Sequence, residues 1–182
     1  GASQSGHIAA VGYDMFLKLM EKAVAELKGE PVTEALEPEI NLSMSAFISE
    51  SYIPDIDQRL WAYRHLAKMT DLREIADFKK ELIDRFGPLP TEGANLLLKI
   101  MLRVLAIKAG VKRLDLTEKQ VSCHFSEDHQ KNPLGILDMI SDDGKRFTLT
   151  PDNVLKVRLE KRGNPLGQTK NILKEIAGCV MG

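Results

Sequence analysis

Apolar residues first recur at helical spacing. Phe16, Leu19, Met20, Ala23, Val24 and Leu27 fall on one face of a helix. Gly29 and Pro31 supply its stop, and residues 29–38, with Thr33 and Pro38, read as a linker. The period then changes to two. Ile40, Leu42, Met44 and Ala46 alternate with polar residues, the pattern of a half-buried strand. Pro54 closes the next stretch, and Asp55 is placed to cap a helix.

Three helices follow. The first is expected to carry Ile56, Leu60, Tyr63 and Ala67 on its apolar face. The second begins near Thr70-Asp71, buries Leu72, Ile75, Leu82 and Phe86, and ends at Gly87-Pro88. The third opens at Pro90-Thr91 and is apolar on most sides through Leu105, which makes it the central helix; Gly110 ends it. Beyond it, Val111 to Leu116 and Gln120 to Phe125 read as strands joined by Thr117-Glu118-Lys119. A short helix over Leu134 to Ile140 follows Pro133. Arg146 to Thr150 and Val154 to Leu159 form a second strand pair turning at Pro151-Asp152-Asn153. Pro165 starts a last helix with Ile172, Leu173, Ile176 and Val180 apolar. Mixed helices and hairpins favour an α+β fold, a helical cluster packed with short antiparallel strands, over a doubly wound parallel sheet.

Composition adds limits rather than identity. The 182 residues are 43% hydrophobic and 28% charged, ordinary for a globular chain. A net charge of -1 offers no global attraction to nucleic acid or to an acidic membrane. No apolar run reaches the length of a membrane span, and no signal peptide is legible. Cys123 and Cys179 sit in no paired motif and are read as two reduced thiols of a cytosolic protein. The opening residues Gly1 to Gly6 look like the middle of a loop, so a piece of a longer protein is expected.

A search for chemistry is mostly negative. Neither phosphate-binding glycine loop is present, nor HExxH, nor GxSxG. Cys123, His124 and His129 are the nearest approach to a metal cluster and fall short of four ligands, so a buried thiol and surface histidines are expected instead. No catalytic residue and no metal ligand is assigned. His7 and His65 receive no role.

The second central helix is more informative. At about 100° per residue, Glu74, Asp77, Glu81 and Asp84 line one ridge, with Arg85 beside Glu81 at i+4. The apolar stripe points the other way, so the helix is anchored on one side and acidic on the other. Like charges at this spacing cost a few tenths of a kcal/mol per pair, roughly. A partner carrying arginines would relieve that cost. A plain solvated face accounts for the same pattern. A second charged feature runs from Lys145 to Glu175, where Lys145, Arg146, Lys156, Arg158, Lys161, Arg162, Lys170 and Lys174 oppose only Asp152, Glu160 and Glu175. It suits either a phosphate backbone or solubility and pairing with the acidic helix. With Phe147 its one aromatic, it is no stacking platform for single strands.

Two stretches resemble the transcription-repair coupling factor family (Mfd). One is Gln4-Ser5-Gly6-His7-Ile8 with Val11-Gly12-Tyr13-Asp14-Met15-Phe16, similar to the loop and helix that follow the family's second motor domain. The other comprises Ile53-Pro54-Asp55-Ile56, Arg59-Leu60 and Glu81-Leu82-Ile83-Asp84-Arg85-Phe86-Gly87-Pro88-Leu89-Pro90. The likeness is clearest from residue 4 to about residue 110.

The resemblance implies a division. Residues 1–30 would be the tail of a translocation motif, with Gln4 as the glutamine of its loop. Residues 31–38 would be a linker, and 39–182 the C-terminal regulatory (TRCF) domain. It further implies that Glu81, Asp84 and Arg85 bind a UvrB-like N-terminal module of the same protein and so mask its UvrA-binding surface. Glu74 and Asp77 join that site by geometry only. RNA polymerase and double-stranded DNA would be contacted by other parts of the parent protein. ATP and magnesium would belong to motor domains, with no cofactor in this chain. The setting would be the bacterial cytoplasm, away from the membrane. The alternative is a nucleic-acid-binding module built on the basic C-terminal third.

Overall fold

A computed structural model describes residues 19–20, 23–29, 35–130 and 133–181, the side chains of 179–181 excepted. Gln4, Phe16, Pro31 and Thr33 lie outside the described residues, as do the side chains of Cys179 and Val180. The chain divides into two compact units, Gly1–Ala35 and Leu36–Gly182. In the first, residues 23–27 are helical, and Gly29 follows them at φ 70°, where the Gly stop was expected.

The second unit runs β1 (Glu39–Leu42), α1 (Ile56–Ala67), α2 (Leu72–Phe86), α3 (Thr91–Ala109), β2 (Val111–Leu116), β3 (Gln120–Phe125), a 3-10 turn (Glu127–His129), α4 (Pro133–Asp142), β4 (Phe147–Leu149), β5 (Val154–Arg158) and α5 (Pro165–Met181). It is α+β, as expected. The five strands form one sheet in the order β1-β2-β3-β5-β4. Two hairpins, β2–β3 and β4–β5, are antiparallel, and β3 joins them by pairing antiparallel with β5. The expectation of antiparallel strands alone fails at β1, which runs parallel to β2, Ile40 opposite Leu114. A parallel neighbour needs a long crossover, and the three helices between β1 and β2 supply it.

The sheet packs one face inward. Leu114, Leu116, Val121, Cys123, Leu155 and Val157 are buried with Leu102, Leu105, Ala106 and Ala109 of α3 and with Leu166, Ile172, Leu173 and Ile176 of α5. A second core holds Ile48, Tyr52 and Ile53 with α1, α2 and the other side of α3, through Leu96, Leu97 and Val104. Helix α3 thus serves both cores, which is why its sequence is apolar on most sides. Gly110 ends it in the left-handed region at φ 69°, its N–H donating to Ala106 and Ile107.

The expected inner face of α1 is corrected by the structure. Ile56, Leu60 and Tyr63 are exposed, whereas Ala62 and Leu66 are buried. Helix α1 carries apolar residues on nearly every side, so periodicity alone does not choose among them. Contacts with the segment before the helix hold it in place. The Arg59 guanidinium donates to the carbonyls of Ile53 and Pro54 at 2.7 and 3.0 Å, and the Tyr63 hydroxyl accepts from the Ile48 N–H at 2.7 Å. Ala62, small and fully buried, lets the helix approach its neighbours.

Candidate docking surface

Helix α2 owes its limits to its own residues. The Asp71 carboxylate accepts from the Arg73 N–H at 2.8 Å and caps the first turn. Ile75, Phe78 and Leu82 form the buried stripe, with Leu72 and Phe86 half-buried. Phe78, absent from the expected face, continues the same stripe at i+3 from Ile75 and was accessible to periodicity. At the other end Gly87 turns away at φ 89°, ψ -170°, its N–H still donating to Ile83 at 2.9 Å.

The carboxy-terminal turn of α2 is held from outside. Tyr52 is nearly buried, and its hydroxyl hydrogen is shared between the carbonyl oxygens of Leu82 and Gly87 at 3.1 and 2.9 Å. Its ring meets Phe86 edge-on at 6.0 Å. Burial pushes the Tyr52 phenol above its ordinary pKa, so it remains a donor.

On the opposite side of that turn lie the charges. Glu74, Asp77, Glu81, Asp84 and Arg85 are all exposed. Arg85 pairs with Glu81 at 3.4 Å, and Lys80 stands 3.9 Å from Asp77. Among the described residues Glu74 and Asp84 have no ion-pair partner. The Arg85 guanidinium also lies over two rings, 5.1 Å from the centroids of both Trp61 and Phe86. Trp61 is stacked on His65 at 5.5 Å, and both meet Phe78 edge-on. Neither Trp61 nor His65 was singled out from the sequence, because their neighbours come from another helix. The surface therefore has two parts: a charged ridge on α2 and, beside its last turn, an aromatic shelf from α1.

The other candidates go elsewhere. Cys123 and His124 are successive strand residues and face opposite sides of the sheet. Cys123 is fully buried, and desolvation, helped by the charge of Asp115, pushes its thiol up to about 12. On the outer face, His124 Nε2 is 3.3 Å from Asp115 Oδ2, while His129 Nδ1 is 2.7 Å from Ser126 Oγ. Among the described residues no group of three His, Cys, Asp or Glu side chains could hold a metal ion. Asp115 also accepts from Asn41 at 2.8 Å and from Arg113 at 3.2 Å. Its partial burial would raise its pKa. The hydrogen bonds from Asn41 and Arg113, with the charges of Arg113 and His124, outweigh that and hold it below the usual carboxylate range.

The bases of the C-terminal third stand on several elements. Lys156 and Arg158 stand on the sheet, Arg146 is paired with Glu175 at 3.6 Å, and Lys170 and Lys174 are on α5. Burial, and then the charges of Lys174 and Lys79, lower the Lys170 pKa. A cleft of 320 Å³ beside α4 is walled by Phe125, Pro133, Ile136, Leu137 and Leu149 and shares no residue with α2. Among the described residues no helix is long and apolar enough to cross a membrane.

Fold and surface together define a small α+β module whose crossover helices present an exposed charged ridge. The TRCF domain family model matches residues 42–136, and the chain belongs to that family. It is 31% identical over 191 residues to a transcription-repair-coupling factor of Myxococcus xanthus, covering 100% of this chain and 15% of that protein. The corresponding factor of Rickettsia bellii is 34% identical over 157 residues, with 85% of this chain and 14% of the relative covered. That of Escherichia coli K12 is 31% identical over 183 residues, with 97% and 16% covered. The chain thus spans about 15% of the length of these curated relatives. A crystal structure of the C-terminal domain of a transcription-repair coupling factor shares the fold, with a TM-score of 0.65 at 17% identity, over 80% of this chain and 96% of that one.

Proposed function

We propose that this chain is a non-catalytic regulatory domain of a DNA translocase in transcription-coupled nucleotide excision repair. It docks through Glu81, Asp84 and Arg85 onto a UvrB-like module of the same protein and covers that module's UvrA-binding surface. One observation carries the reading. The three residues stand exposed on one helical turn whose backbone is fixed by Gly87 and Tyr52 and whose arginine is already held by Glu81 and Trp61. A turn that needs little ordering on contact spends little of its binding energy on entropy. The lock need contribute only a few kcal/mol, roughly, because a tethered partner is at high effective concentration. In this reading ATP and magnesium serve motor domains, RNA polymerase and double-stranded DNA are met elsewhere in the protein, and the setting is the bacterial cytoplasm.

The test uses the full-length protein. Glu81→Ala with Asp84→Ala is expected to leave the circular dichroism spectrum unchanged and to raise UvrA affinity. A well-folded double variant with unchanged UvrA affinity overturns the proposal.

A further inference from the structure

We infer that Trp61 is a positioning residue of this docking surface: from α1 it holds the Arg85 guanidinium toward a carboxylate on the partner. The inference rests on the docking reading above and adds to it a residue and a partner chemistry. Arg85 is long and 42% exposed, and such a side chain would otherwise sample many rotamers. Three groups limit it: the Glu81 carboxylate at 3.4 Å and the rings of Trp61 and Phe86, each 5.1 Å from its central carbon. Glu81 and Phe86 belong to α2 and move with Arg85. Trp61 belongs to α1 and, among the described residues, alone ties the arginine to a second element.

The shelf is itself braced. His65 stacks on Trp61 with the planes 9° apart, and Phe78, buried in the helical core, meets both rings. Trp61 nevertheless remains 38% exposed. A guanidinium lying over a ring keeps its in-plane N–H donors free, and of five donors Glu81 engages one. The free donors suit a carboxylate in bidentate geometry. Asp84, one residue before and without an ion-pair partner, suits a base. The matching face therefore carries an acid opposite Arg85 and a base opposite Asp84. Tryptophan and arginine side by side are also the residue types that most often dominate interface energetics.

Because Trp61 is the lone tryptophan of the chain, its fluorescence reports the contact without a partner. Arg85→Met is expected to raise the acrylamide quenching of Trp61 in the free 182-residue chain. Binding to the separately expressed UvrB-like module is then measured by calorimetry. Trp61→Leu is expected to weaken it about fivefold or more, whereas Trp61→Tyr, which keeps a π face, stays within about twofold. In an Arg85→Met background, Trp61→Leu should cost almost nothing further. If Glu81→Ala with Asp84→Ala weakens binding and Trp61→Leu does not, the role of Trp61 is overturned and docking stands. Full cost of Trp61→Leu in the Arg85→Met background overturns it too, since Trp61 would then act by its own contact. Unchanged quenching in Arg85→Met overturns the positioning directly. Absence of binding by the wild-type chain overturns docking and this inference together.

Discussion

The Tyr52 hydroxyl lies 2.9 Å from the carbonyl oxygen of Gly87, across 35 residues of sequence. It ties the loop before α1 to the end of α2, the turn that presents Glu81, Asp84 and Arg85. Tyr52→Phe keeps the ring and removes the bond, leaving two carbonyls sharing no donor. A loss of about 1–2 kcal/mol in urea unfolding is expected. The phenol also adds a pH dependence. Its folded pKa is raised by burial, so its contribution is full below the ordinary tyrosine value of about 10 and is lost as pH rises through the folded value. The difference in stability between wild type and Tyr52→Phe should therefore shrink above about pH 10. A difference that is flat through that range would show that the phenol titrates normally.

Gly87 sets the exit from α2. At φ 89° and ψ -170° it occupies a region that only glycine enters without strain. A Cβ there would meet nothing within 4 Å, so the cost of Gly87→Ala is conformational and not steric against neighbours. About 1–3 kcal/mol is expected, read as a lower Tm. Gly178 is the control. It lies within α5, again with nothing within 4 Å of an added Cβ, and Gly178→Ala should stabilise by up to about 1 kcal/mol. Equal effects at the two sites would refute the conformational argument.

On the outer sheet face Asp115 joins β1 to β2 and β3 through Asn41, Arg113 and His124. Its folded pKa is depressed. The stability it contributes is thus present above the unfolded value of about 3.9 and is lost as pH falls through the folded one. Asp115→Asn should lose stability near neutrality and show less further loss in acid than wild type. Parallel acid titration curves for the two proteins would remove Asp115 as a source of the dependence.

How much of this was legible follows the range of the interactions. The strands Val111–Leu116 and Gln120–Phe125 were read to the residue, because alternation and a local turn set them. The caps Asp55 and Asp71 and the stops Gly87 and Gly110 are likewise local chemistry. Exposure of Glu74, Asp77, Glu81 and Asp84 followed from spacing alone, since the opposite stripe is apolar. What pattern could not show is what another element brings. The parallel partner of β1 lies 74 residues away at Asn41 and Asp115. Trp61 becomes part of the surface only because α1 sets it against Arg85. Tyr52 reads as an ordinary aromatic until its carbonyl partners are placed.

Helix α1 shows that limit in a form that can be measured. Its sequence offers two apolar stripes, one through Ile56, Leu60 and Tyr63 and one through Ala62 and Leu66. Pattern alone does not decide between them; the first was expected inward, and the structure buries the second. Leu60 is 43% exposed and Leu66 1%. The same truncation should therefore have unequal effects. Leu66→Ala leaves a cavity among Ile53, Ala62, Met69 and the α2 stripe and should cost about 2–5 kcal/mol. Leu60→Ala removes a side chain already largely in water and should cost about 0.5 kcal/mol or less. Chemical denaturation of the two variants decides between the stripes. The reverse order, Leu60→Ala the more damaging, would place the first stripe inward and would turn Trp61 away from Arg85, since residues one position apart on a helix rotate together.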